Sequence, residues 1–193
     1  MTGKRCRRTL AALIRRLRRY VTHQDPLAAA AGTIAMVVAG NQPFYPLYLH
    51  AIAGTAAWPA WLTLISTPFF LAIPAVARRH SLSGRAMLPV VGVANTMLGA
   101  KLLGAASAVE LFLIPCILLA AILFRPAERV VMVPVLATPF IAHVAFDWIS
   151  GSPVQTFSAD AYGSIVTVHA VSVATLMAFI GLLFASILSE REV

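Results

Sequence analysis

Long apolar runs separated by short polar gaps divide the chain into six blocks, at about 26–49, 55–77, 86–105, 107–124, 130–148 and 163–188. A helix needs roughly 20 apolar residues to cross a hydrocarbon core about 30 Å thick. The pattern therefore predicts an all-α polytopic membrane protein with six transmembrane helices over 26–188. A cytoplasmic basic segment at 1–25 precedes them and a short cytoplasmic tail at 189–193 follows. Within the basic segment, Leu10, Leu13, Ile14, Leu17, Tyr20 and Val21 recur at helical spacing, while Arg15, Arg16, Arg18 and Arg19 occupy the other positions. This pattern predicts an amphipathic helix over 9–21 lying on an anionic inner leaflet, with residues 4–21 as the anionic-lipid contact.

Composition supports the membrane reading. Of 193 residues, 60% are hydrophobic and 11% charged, whereas soluble domains carry about 25% charged residues. The net charge of +8 suggests a nucleic-acid partner only until it is located. Eight of the fifteen Lys and Arg residues lie in the N-terminal segment. Arg78, Arg79 and Arg85 lie between the second and third blocks, Arg125 and Arg129 between the fourth and fifth, and Arg191 in the tail. The alternate connections, near 50–55, 105–107 and 149–162, hold none. Lys and Arg favour the cytoplasmic side, so both termini are expected there, in a bacterial inner membrane, with the bilayer and no nucleic acid as partner. Cys6 and Cys116 match no metal or redox spacing.

Prolines fall inside every block except the last, and each removes a helix hydrogen bond. The run Asn41-Gln42-Pro43-Phe44-Tyr45-Pro46 is expected to break the outer half of the first helix.

Ionisable residues inside a membrane are costly and usually functional. At 1.5 Å rise per residue, Lys101, Glu110, His143 and Asp147 lie about 21–27 Å from the inner ends of their helices, and His169 about 31 Å. His50, at the outer end of the first block, joins this layer. His50, Glu110, His143, Asp147 and His169, with Asn41 and Lys101, are thus the expected ligand-binding residues. His50, His143, His169 and Glu110 carry the right donor atoms for a transition metal. Two of the histidines would suit a haem, and the set would equally line an organic ligand pocket. Structural contacts compete with all three readings: Lys101 with Glu110 as an ion pair, and Asp147 orienting His143 at i, i+4. The sequence contains no H-E-x-x-H or C-x-x-C-H motif, no Gly-rich phosphate loop, and no G-x-S-x-G around Ser107 or Ser150. The expectation is a protein without catalytic residues.

Leu103-Gly104-Ala105-Ala106-Ser107-Ala108-Val109-Glu110-Leu111-Phe112-Leu113-Ile114-Pro115 and Ala120-Ala121-Ile122-Leu123-Phe124-Arg125-Pro126-Ala127-Glu128-Arg129 resemble the third-to-fourth helix region of the six-helix membrane anchors of bacterial class III adenylate cyclases. Those anchors are related to the sensor domain of Vibrio-type quorum-sensing histidine kinases. The run Pro43-Phe44-Tyr45-Pro46-Leu47-Tyr48 is similar to the first-helix pattern of that group. The resemblance, over about 26–188, implies a sensor or receptor module that signals through its sixth helix. Only Glu190, Arg191, Glu192 and Val193 follow Ser189, so the expected output is a cytoplasmic effector partner or a homodimer. A small transport component, such as the substrate-binding membrane subunit of a vitamin or metal transporter, is the competing expectation. It rests on chain size and on the small residues Ala28, Ala29, Ala31, Gly32 and Ala35.

Overall fold

A computed structural model describes Ala12 and residues 15–189. Among these residues the fold is all-α, with no strand. The helices form six arms. The first comprises α1 (Pro26–Asn41) and α2 (Phe44–Ala53); the second is a 3₁₀ segment (Gly54–Ser66) followed by α3 (Thr67–Arg79). The third is α4 (Ser81–Leu103), and the fourth is a 3₁₀ turn (Val109–Phe112) leading into α5 (Leu113–Ile122). The fifth combines α6 (Arg129–Val144) and α7 (Phe146–Ser150), and the sixth is α8 (Ala159–Ser189). Every arm ends within five residues of the expected block limits.

Among the described residues, four helical stretches are long and apolar enough to cross a membrane: Pro26–Arg79, Ser81–Leu103, Pro126–Val144 and Ala159–Ser189. Val109–Ile122 is apolar but shorter. The first stretch is a hairpin. It reverses at Gly54, whose φ of +58° suits a residue without a Cβ, so that α1 lies against α3. Gln42 and Ser66 are joined across the hairpin by a 2.8 Å hydrogen bond.

The expected break in the first arm is present. α1 ends at Asn41, Gln42 and Pro43 form the turn, and α2 starts at Phe44. The second arm departs further from regular helix. Its 3₁₀ segment runs for 13 residues around Pro59, where runs of three or four are usual.

The main core cluster joins Ile34, Phe70, Ile73, Leu88, Leu119, Leu123 and Ile180 from five arms. Close approach depends on glycine at two places. A Cβ on Gly84 would stand 2.6 Å from the Ala77 Cα, and one on Gly99 would stand 2.9 Å from Val109 Cγ2. The sixth arm is held least. Of its 31 residues, only Ile165, His169, Val173 and Ile180 are buried.

Residues 15–21 of the expected basic helix are helical. Tyr20 fastens this segment to the second arm: its hydroxyl donates to Leu71 O at 2.8 Å, and its carbonyl accepts from Arg78 at 2.7 Å. The Arg78 guanidinium also lies 4.6 Å from the Tyr20 ring centroid. Leu17, expected on the apolar face, is exposed. Most of the lipid-contact segment 4–21 and the tail 190–193 lie outside the described residues.

At the inner ends the structure reveals a charged cluster that counting basic residues did not anticipate. Arg85, read from sequence as part of a connection, is 1% exposed one turn inside α4. Its guanidinium donates to Glu128 and to Leu123 O, and its Nε lies 3.5 Å from Asp25 Oδ2. Asp25 caps α1 by accepting from the Leu27 N–H at 3.1 Å, and it pairs with Arg125 at 2.8 Å. Ser81 donates to the same carboxylate. Three otherwise separate inner ends are thereby tied together, and the buried cation has its counter-charges.

Candidate functional site

The expected site residues do not gather. Glu110 and His143 approach each other, Oε2 to Nδ1 3.5 Å, where His143 is exposed and Glu110 is half-buried. The helix carrying His143 ends at Val144, and Asp147 lies in the separate helix α7, so the i, i+4 face the two were expected to share is interrupted. Asp147 and His50 are exposed. Lys101 Nζ donates to Ser152 O at 2.9 Å, which fastens the outer end of α4 to the fifth-to-sixth connection. His169 is fully buried. Among the described residues no three His, Cys, Asp or Glu side chains are placed to share a metal ion. The set of His50, His143, His169 and Glu110 therefore does not assemble as a metal site. Depth along the membrane brought these residues to one layer, but helix rotation scattered them around it.

A different feature lies within the bundle: a cavity of about 790 Å³ between the first, second, third, fourth and sixth arms. Small-molecule sites are commonly about 300–1,000 Å³. Ile34, Phe70, Leu88, Leu119, Leu176 and Phe179 line its apolar part, and Gln42, Tyr45, Asn95, Thr96, Ser172 and Thr175 supply polar atoms. Its lining contains no Asp, Glu, Lys, Arg or His. Of the expected site residues, only Asn41 borders it. Val37, Tyr48 and Val171 both line the cavity and are exposed, so it opens sideways between the first and sixth arms.

Local sequence explains its shape. Gly92 lets α5 approach, since a Cβ there would stand 2.7 Å from Cys116 Sγ. At the Gln42–Pro43 turn, Gln42 Nε2 donates to Ser66 Oγ, which donates to Thr63 O at 2.8 Å. Thr96 donates back to Gly92 O at 2.9 Å. Asn95 Oδ1, buried at the cavity wall, has no hydrogen-bond partner among the described residues. Leaving a buried acceptor unpaired costs about 1–3 kcal/mol, so a donor entering the cavity gains at that position.

His169 stands just behind the wall. Its Nδ1 lies 2.7 Å from Ser107 O and its Nε2 lies 2.9 Å from the Tyr45 hydroxyl. A carbonyl only accepts, so Nδ1 carries the hydrogen, and Tyr45 donates to Nε2. The Tyr45 ring stacks on the imidazole with centroids 5.7 Å apart, and Phe112 meets it edge-on at 5.5 Å.

The sequence reading selected charge and so missed the cavity. Its one signal was the Asn41–Pro46 run, which supplies Gln42 and Tyr45. Asn95 and Thr96 stand in an apolar span without any motif. Comparison with known protein families, curated proteins and solved structures gives no match.

Proposed function

We propose that this chain is a six-pass receptor module of a bacterial inner membrane, with both termini cytoplasmic. It binds a small uncharged ligand in the lateral cavity and passes occupancy through its sixth arm to a cytoplasmic effector. The observation that carries this reading is the cavity itself: apolar, open towards lipid, without a charged side chain, and walled on one side by the least buried arm. An ionised ligand would lose its hydration there without gaining a counter-charge. The orientation rests on the placement of Lys and Arg. The sensor role rests on the resemblance to cyclase anchors and quorum-sensing kinase sensors.

Nile red, an uncharged apolar dye, provides the test. Purified protein in lipid nanodiscs should show a saturable component of dye binding beyond that of empty nanodiscs. Ser172→Trp, which places an indole in the cavity, should remove it. Equal dye uptake by wild-type and Ser172→Trp would refute the receptor reading.

A further inference from the structure

We infer that Tyr45 is the residue through which occupancy of the cavity is read by the sixth arm, with His169 as the pin it controls. This inference rests on the receptor reading for its ligand, but the pin itself can be tested without one.

The first support is how the sixth arm is held. Its contacts are few, and His169 is its only buried residue with polar side-chain atoms. That imidazole spends both nitrogens on other elements, one on the Ser107 carbonyl in the third-to-fourth turn and one on Tyr45 in the first arm. Beyond Ile180 no described residue of the arm is buried. Besides this pin the arm is held by the Tyr162 hydroxyl, which donates to Leu103 O at 3.1 Å, and by Ile180 with half-buried Leu183 and Phe184 against the core. Among the described residues, releasing the pin therefore removes one of its two polar ties to other arms.

The second support is where the pin touches the cavity. His169 does not line it, but the two rings that enclose the imidazole, Tyr45 and Phe112, both do. A molecule in the cavity touches the sixth arm directly at Val168, Val171 and Ser172, and touches the partners of the imidazole at those rings. Tyr45 is the movable one of the two. It stands on α2, a ten-residue helix separated from α1 by the Gln42–Pro43 turn. Phe112 lies in a 3₁₀ turn that continues directly into α5. The two hydrogen bonds also act in series. Nε2 accepts from Tyr45 only while Nδ1 donates to Ser107, so shifting the hydroxyl weakens the pin without breaking any helix.

The experiment measures distances between spin labels at Ser83→Cys and Ser186→Cys, near the inner ends of the third and sixth arms. The background is Cys6→Ser and Cys116→Ala, and the protein is held in nanodiscs with and without Nile red. Without dye, Tyr45→Phe keeps the ring and deletes the hydroxyl. It should broaden the distribution and move its centre by about 1–2 Å, the size of helix shift that switches commonly use. His169→Phe should do the same. With dye, wild-type should move in the same direction, whereas Tyr45→Phe, at a dye concentration that saturates it, should move no further. If both variants keep the wild-type dye-free distribution, the pin is refuted. If Tyr45→Phe shows the full dye-induced shift, the coupling through Tyr45 is refuted. If wild-type shows no dye binding that Ser172→Trp removes, the receptor reading fails, and the dye-free distances still decide the pin.

Discussion

Arg85 donates through Nη1 to one oxygen of Glu128 at 2.7 Å and through Nη2 to the other at 2.6 Å, in a two-pronged ion pair between the third arm and the start of the fifth. Removing one partner from a buried pair typically costs about 3–5 kcal/mol, an upper bound here because Asp25 and Leu123 O still face Arg85. Replacing both by apolar residues of similar volume is often neutral. Glu128→Gln should therefore destabilise the protein strongly, and Arg85→Met with Glu128→Leu should recover most of the loss. Unfolding in a mixed-detergent titration measures both. A double variant as unstable as the sum of the two singles would show that the pair holds the inner ends by geometry that apolar contacts cannot replace.

Asp25, beside that pair, gives a pH-dependent expectation. Burial alone pushes its carboxyl up. Hydrogen bonds from Ser81 and the Leu27 N–H, with the charges of Arg85 and Arg125, outweigh burial and hold it below its ordinary 3.8. A depressed carboxylate stabilises the fold fully above its unfolded value and loses that contribution as pH falls through the folded one. Asp25→Asn should accordingly be less stable than wild-type at pH 7, with the gap closing as pH drops below about 4. Thermal unfolding across pH 7 to 2 checks it. A gap that does not change with pH would mean that the ionised carboxylate contributes nothing beyond its cap.

Much of the fold was legible because the bilayer imposes a coarse rule: apolar runs near 20 residues, interrupted by gaps, locate the arms to within a few residues. The break at Gln42–Pro43 was legible for a local reason, two prolines with two amides. The site was not. Depth follows from counting residues, but which side chains face one another follows from helix rotation and crossing angle. His143 and His169 illustrate this: similar in expected depth, one is exposed beside Glu110 and the other is sealed between Tyr45 and Phe112. The partnership of Arg85 with Glu128 was hidden for a further reason. Counting basic residues treats each as a topology signal, and Arg85 serves a buried network as well.

Two glycines on α4 separate contacts that must yield from contacts that can. A Cβ at Gly84 would stand 2.5, 2.6 and 2.8 Å from Cβ, Cα and N of Ala77. Two of these atoms are backbone, so Gly84→Ala should push the second and third arms apart, at or above the usual overpacking cost of about 1–3 kcal/mol. Adding Ala77→Gly removes only the Cβ contact, so rescue should be partial. At Gly92 the one close atom is Cys116 Sγ at 2.7 Å, the end of a side chain. Gly92→Ala should therefore be nearly fully rescued by Cys116→Ala. Melting temperatures of the four variants decide it, and equal rescue at both sites would show that the α3–α4 backbone contact is softer than its distances imply.

The proposed orientation can be checked independently of any ligand. Fourteen of the fifteen Lys and Arg residues lie in the tails or at the helix ends and connections of one side, Arg85 among them in the first turns of α4, and the fifteenth, Lys101, lies near the opposite end of α4. Short loops are sorted by this bias, with the basic ones retained inside. The inner cluster agrees in geometry: Asp25, Arg85, Arg125 and Glu128 meet at one end of the bundle, so the connections that carry them share a side. Ser83 and Ser158 lie at opposite ends of this arrangement, and both are exposed. In intact cells, with Cys6→Ser and Cys116→Ala as background, Ser158→Cys should react with a membrane-impermeant thiol reagent, and Ser83→Cys should react only after the membrane is opened. Reaction at Ser83→Cys alone would invert the topology. Reaction at both would mean that the chain crosses the bilayer an even number of times between them, not the three times proposed, or does not span it.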